Sequence, residues 1–271
     1  MQEAAQYVLG NSGHEVQRLM FQSEIIRPIT MRLLREAGLS AGMRALDLGC
    51  GAGDVTMLAA DIVGPSGSVV GLDRNADILI AARERATAAG YSNVAFVEEA
   101  AADRGERSFD VVIGRYILVH QADPASLIRF AASHVRPGGV VAFHEVQCFG
   151  DVQSLPHVPI WHQVWNLLVA GFASGMSHPD AGARLIEHFS SAGLDLPTLF
   201  SEIPVGGGPT SPLYAWMTLT LRSLLPRLES DGSIDAAKID LNTLEDRIRV
   251  AVTSARSQAG FAQQYCAWAR V

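Results

Sequence analysis

The stretch Arg44-Ala-Leu-Asp-Leu-Gly-Cys-Gly-Ala-Gly-Asp54 constrains this chain more than any other, because an apolar run ends there on an acid and three alternating glycines. The run predicts a buried strand, and the glycines predict a turn that cradles a ligand. Without Cβ atoms, Gly49, Gly51 and Gly53 can take positive φ and let a flat, polar molecule approach the main chain. Asp54-Val-Thr-Met-Leu-Ala-Ala-Asp61 then predicts a helix, whose first N–H groups lack intrahelical partners and can receive a carboxylate or phosphate. Spacing narrows the ligand. A dinucleotide-gripping turn needs G-x-G-x-x-G, and counting from Gly49 its last place holds Asp54. What stands here is Asp47-x-Gly49-x-Gly51-x-Gly53. A carboxylate two residues before the first glycine would repel a pyrophosphate and attract an amino-acid ammonium.

Ser68-Val-Val-Gly-Leu-Asp73 predicts a second short buried strand ending in a carboxylate, about 20 residues past the glycines, where βαβ nucleotide folds place the acid that grips a ribose. Two further motifs follow in order: Phe109-Asp110-Val111-Val112, and Arg136-Pro137-Gly138-Gly139 ahead of Val140-Val-Ala-Phe143. With these four motifs over residues 40–146 the sequence resembles the class I S-adenosylmethionine-dependent methyltransferases, in particular the small-molecule branch that includes the ubiquinone and menaquinone pathway enzymes.

The resemblance implies an α/β fold: a Rossmann-like, mostly parallel seven-stranded sheet with an antiparallel last strand, helices on both faces and a helical cap. It implies S-adenosylmethionine as cofactor, with Asp47, Gly49, Cys50, Gly51 and Gly53 at its methionine end, Asp73 and Arg74 at its ribose, and Gly114, Arg115 and Tyr116 at its edge. Relatives hold the adenine amine with an Asp three positions after the third strand's Val97. This chain has Ala100 there, so Glu98, Glu99 or Asp103 takes over, or the backbone around Ala100 and Ala101 does. N-terminal helices that close over the ligand would add Tyr7 and Gln22, with ordinary helix-surface roles as the alternative.

Elsewhere the pattern is helical from His14 to Ala37, read as a pair of helices broken at Pro28, and again at Ala76–Gly90, Asp123–His134, Trp161–Phe172, Ala181–Ser191, Ser211–Leu225 and Leu241–Arg256. Thr198–Val205 and Phe261–Ala269 read as strands, the latter closing the sheet. We therefore expect three parts: N-terminal helices over the cofactor site (1–40), the cofactor-binding core (41–150), and the remaining strands with an inserted acceptor-binding cap (151–271).

A net charge of −7 offers no footprint for nucleic acid or an anionic membrane. Three scattered cysteines outline neither a disulfide framework nor a zinc site. No signal-peptide pattern opens the chain, and Leu155–Met176 is too interrupted by Pro, His, Gln and Asn to span a bilayer, so a cytoplasmic location is expected. The expected partner is a small-molecule acceptor, with a homodimer left open.

Methyl transfer needs alignment above all, and a base only if the acceptor is a poorly acidic hydroxyl. His120 and His144, just past predicted strand ends, are the candidate bases, with Glu145 to orient His144 or to bond the substrate. His157, His162 and His178 read as surface or packing residues, and no metal is expected. Trp161, Trp165, Phe172, Tyr214, Trp216 and Met217 form stripes at helical spacing; core packing is the default for such stripes, but their concentration in the cap favours an apolar acceptor pocket. The favoured reading is O-methylation of a small, largely apolar metabolite. The alternatives are a non-methylating reaction such as cyclisation or decarboxylation on the same fold, or a non-catalytic cofactor-binding accessory protein.

Overall fold

The computed structural model describes residues 13–98, 108–230, 232 and 239–271, with side chains from Arg18 onward. The chain divides into two compact units. One takes the chain up to Ile26 together with 147–180 and 202–263, and the other takes 27–146, 181–201 and 264–271.

The second unit is built on a seven-stranded sheet. Its strands are β1 (Arg44–Leu48), β2 (Ser68–Asp73), β3 (Val94–Glu98), β4 (Phe109–Arg115), β5 (Val135–Val146), β7 (Thr198–Glu202) and β10 (Gln264–Arg270). Their order across the sheet is β3-β2-β1-β4-β5-β10-β7. From β3 to β5 the neighbours are parallel, and β10 runs antiparallel to β5, pairing Cys266 with His144 and Tyr265 with Glu145. Strand order reverses between β1 and β4, which opens a crevice at their carboxyl ends.

Helices cover both faces. On one, α1 (Gly13–Glu36) from Ile29 onward and α2 (Asp54–Val63) pack Leu33, Leu34, Val55, Leu58 and Val63 against Ala45, Val111, Ile113 and Ala142. Phe143 points the other way, as strand alternation requires, and meets Phe189 of α6 (Leu185–Ser191) edge-on, 6.1 Å between centroids. α4 (Pro124–His134) starts on Asp123, whose carboxylate accepts from Ser126 N, and α3 (Ala76–Ala88) starts on Asn75 in the same way.

The expected break at Pro28 does not occur: α1 runs through it. An interior proline costs a helix about 3 kcal/mol, whereas burying Ile29, Leu33 and Leu34 returns about 1.5–3 kcal/mol each. The fifth strand is also longer than expected: it opens at Val135, which pairs with Phe109 of β4, passes through Arg136–Gly139, read as a turn, as an irregularity in the β4 register, and continues to Val146. Gly138 bends it with φ +80°. Thr198–Val205 is not one strand; β7 ends at Glu202, before Pro204, which has no N–H to offer a ladder.

The first unit holds β6 (Ser154–Leu155), β8 (Val205–Gly206) and β9 (Gln258–Gly260) in an antiparallel sheet ordered β6-β9-β8, with α5 (Pro159–Ala173), α7 (Leu213–Ser230) and α8 (Leu241–Ser254). Its core is aromatic. Trp161 meets Tyr214, and Phe261 is flanked by Trp165 and by Trp216, whose ring lies 4.2 Å away. No helix among the described residues is long and apolar enough to cross a membrane.

Candidate functional site

The turn after β1 takes the shape its glycines allow. Gly49, Gly51 and Gly53 have φ of +65°, +52° and +86°, a region that costs an L-residue roughly 1–2 kcal/mol. Two of them are also held by packing: a Cβ on Gly49 would lie 2.6 Å from Ile117 Cδ1, and one on Gly53 2.8 Å from Phe96 Cζ. Above Gly51 a Cβ would meet only Ile78 Cδ1, at 3.9 Å. Gly53 provides no side chain to cap α2, so the first-turn N–H groups of that helix carry no side-chain cap.

Asp73 fastens this turn from the end of β2. Its two oxygens accept Gly51 N and Asn75 N, each at 2.9 Å, and the half-buried carboxylate keeps lone pairs for further donors. Asp47 lies under the turn, 1% exposed, and accepts the Thr56 hydroxyl at 2.6 Å. Burial raises its pKa to about 7 against the Thr56 hydrogen bond and the charge of Arg115.

The exit of β4 forms the facing wall. Gly114 owes its missing side chain to packing, since a Cβ there would lie 2.6 Å from the Phe143 ring. Tyr116 has φ +56°, unusual for a residue with a side chain, and Ile117 follows it over Gly49. His120 closes a short 3-10 turn, Leu118–His120. Burial, then the charge of Arg74, lowers its pKa to about 4, so it is neutral across the physiological range.

His144 and Glu145 lie inside β5 instead of past its end, both 0% exposed. Successive strand residues face opposite ways, so Glu145 cannot orient His144 as the sequence suggested. Glu145 Oε1 instead accepts Ile117 N at 3.0 Å and Leu118 N at 2.9 Å, while Oε2 is buried without a partner among the described residues. Burial raises this carboxyl to about 8, against the pull of those N–H groups. Both nitrogens of His144 are engaged: Nε2 with Gln264 Oε1 at 3.1 Å, and Nδ1 with Thr30 Oγ1 at 2.9 Å. Burial and the charge of Arg115 lower its pKa to about 3 against the Gln264 bond.

Asp47, Cys50, the three glycines, Asp73, Arg74, Arg115, Tyr116 and His120 are thus brought to the carboxyl edge of one sheet. Glu98 ends β3 in register with Asp73. Tyr7, Glu99, Ala100, Ala101 and Asp103 lie outside the described residues. Gln22 belongs to the other unit, where its side-chain oxygen accepts Arg18 Nη1 and Trp216 Nε1. The aromatic stripes of that unit are its packed core, with Trp161, Trp165, Tyr214, Trp216 and Met217 all at 2% exposure or less. His162 bridges Asp151 and Ser154, whose Oγ accepts Val158 N at the start of α5. Thr30, Thr56 and Gln264 escaped the sequence reading. Thr56, in the first turn of α2, was within reach of it, but nothing local marks Thr30 or Gln264. Among the described residues no group of His, Cys, Asp and Glu could hold a metal ion.

Residues 39–173 match the family model described as a methyltransferase domain. Demethylmenaquinone methyltransferase of Listeria monocytogenes is 32% identical over 142 residues, covering 52% of this chain and 56% of that protein. Ubiquinone biosynthesis O-methyltransferase of Serratia proteamaculans is 36% identical over 125 residues, covering 45% and 50%. The chain therefore spans about half the length of these curated relatives. A crystal structure of a putative methyltransferase from Bacillus halodurans shares the fold, with TM-score 0.55 at 19% identity over 89% of this chain and 97% of that one. Motif order, sheet order and the matched domain agree, and the chain belongs to the class I S-adenosylmethionine-dependent methyltransferases.

Proposed function

We propose that this protein transfers the methyl group of S-adenosylmethionine to a small, largely apolar metabolite, at oxygen. The observation that carries the cofactor part is the turn after β1: three left-handed glycines, no close contact above Gly51, and a carboxylate at the next strand end. When bound, the cofactor supplies a methyl on a sulfonium, ready for in-line displacement. The residues present suit it. Asp73 keeps acceptor capacity for both ribose hydroxyls, and the uncapped start of α2 offers backbone donors to a carboxylate. Asp47 supplies the negative charge beneath the turn; an ammonium brought near would favour its ionised form.

The acceptor class follows the relatives, one named for demethylmenaquinone and one as an O-methyltransferase of ubiquinone biosynthesis. A net charge of −7 supports a small molecule as partner in preference to nucleic acid, and we place the protein in the cytoplasm. The test is a methyl-transfer assay with labelled cofactor against a cell extract and against hydroquinones and phenols. Label in an apolar methyl ether is the expected result. Label confined to amines or carbon would remove the O-methylation reading, and no transfer at all would remove methylation.

A further inference from the structure

Three consecutive backbone N–H groups of the β4 exit are received by two adjacent residues of β5. Tyr116 N donates to His144 O at 2.9 Å, and Ile117 N and Leu118 N donate to Glu145 Oε1. Side chains add to this grip. The Tyr116 hydroxyl donates to Gln264 Oε1, which also takes a hydrogen bond from His144 Nε2. An acceptor oxygen at Nε2 puts the ring proton there, leaving Nδ1 to accept from the Thr30 hydroxyl, which in turn accepts Arg115 Nη1 at 3.4 Å. The Tyr116 and His144 rings meet edge to face with centroids 5.5 Å apart. A tyrosine held at φ +56° persists only where its surroundings over-determine it, and these contacts do so. The held segment matters because Ile117 seats on Gly49, within the turn assigned to the cofactor.

We propose that His144 and Glu145 are positioning residues that clamp Tyr116–Leu118 from the two faces of β5 and so set the alignment of cofactor and acceptor, and that His144 takes no proton from the acceptor. The inference deepens the methyltransferase reading and rests on it. It separates from a base mechanism because His144 would be saturated on both nitrogens by protein groups, whereas a base needs one nitrogen free for the substrate.

The test compares H144Q, whose amide can donate to Gln264 and accept from Thr30, with H144L, which can do neither. H144L should lower kcat by about 10²-fold, the effect of a small misplacement, with affinity for S-adenosylhomocysteine changed far less. H144Q should keep kcat within about tenfold of the parent and the same pH profile. The second readout needs no activity: with 3-fluorotyrosine incorporated and Tyr116 assigned by Y116F, its 19F resonance should broaden or split in H144L and remain a single narrow line in H144Q, apart from the shift that loss of the imidazole ring causes in both. Q264L should mimic H144L in this readout if H144L does not fold. Equal loss of kcat in H144Q and H144L, with the Tyr116 resonance a single narrow line in both, would overturn the proposal in favour of a base. If the parent transfers no methyl, the methyltransferase reading fails separately and the resonance decides: broadening or splitting in H144L or Q264L supports the clamp, and a single narrow line in both overturns it.

Discussion

The turn after β1 and the end of β5 both bring polar groups to the edge of one sheet, and they use them in opposite ways. In the turn the work falls to backbone: three left-handed glycines shape it, and Asp73, half-buried, ties it down while keeping lone pairs for a ligand. At β5 the work falls to side chains with nothing to spare for solvent, since His144 and Glu145 are fully buried and their bonds run to Thr30, Gln264, Ile117 and Leu118. A titratable residue at the end of a central strand is therefore no sign of chemistry in itself. Exposure separates the group that can meet a ligand from the one that holds the frame: Asp73 is half-buried, whereas Glu145 keeps one unpartnered oxygen but is sealed from solvent.

The largest effect tests whether the turn is set by packing or by φ alone. Gly53→Ala adds a Cβ 2.8 Å from Phe96 to a left-handed backbone, and the two penalties together predict a loss of about 2–5 kcal/mol in chemical denaturation. Gly51→Ala carries the backbone penalty only, about 1–2 kcal/mol. Equal losses at the two positions would mean that Phe96 gives way and packing decides nothing.

Asp73→Ala comes next. It removes the acceptor of Gly51 N and, on the proposed reading, that of the ribose hydroxyls, and should weaken S-adenosylhomocysteine binding by about 1–3 kcal/mol in calorimetry. Unchanged affinity would make Asp73 a brace of the turn, like Glu145, and dissolve the contrast.

The last effect is read as a slope against pH. Glu145 has its pKa raised from 4.5 to about 8, so between those values the folded state holds a proton that the unfolded state has released. Its contribution to stability is complete below pH 4.5 and is lost as pH rises through 8. E145Q removes that dependence, and its stability relative to the parent should climb by about 1.4 kcal/mol per pH unit across the window. His144 has the opposite sign. Its pKa is depressed from 6.5 to about 3, so its contribution is present above pH 6.5 and is lost as pH falls toward 3. H144Q should flatten the acid limb of the stability curve, and denaturant midpoints at a series of pH values would measure both slopes.

The four motifs, the sheet they build and the left-handed glycine turn were legible in order along the chain, because each is a local pattern. An apolar run ending on Asp47 or Asp73 makes a strand with a carboxylate at its tip, and alternating glycines make a left-handed turn wherever they stand. The roles of His144 and Glu145 were not legible. Val140–Phe143 read as a strand, but only pairing with β4 on one side and β10 on the other carries β5 to Val146 and buries the next two residues. The aromatic stripes, which the sequence favoured as an acceptor pocket, pack a core through contacts between α5, α7 and Phe261, segments nearly a hundred residues apart. Gln264 and Thr30 reach His144 from β10 and α1, far away in the chain. What the sequence alone determined is everything whose physics is local: backbone freedom at glycine, strand and helix periodicity, and the placement of an acid at a strand end. What only the tertiary structure decided is which polar groups remain free to meet a ligand, since burial and partnership are properties of the surroundings that the whole chain builds around a residue.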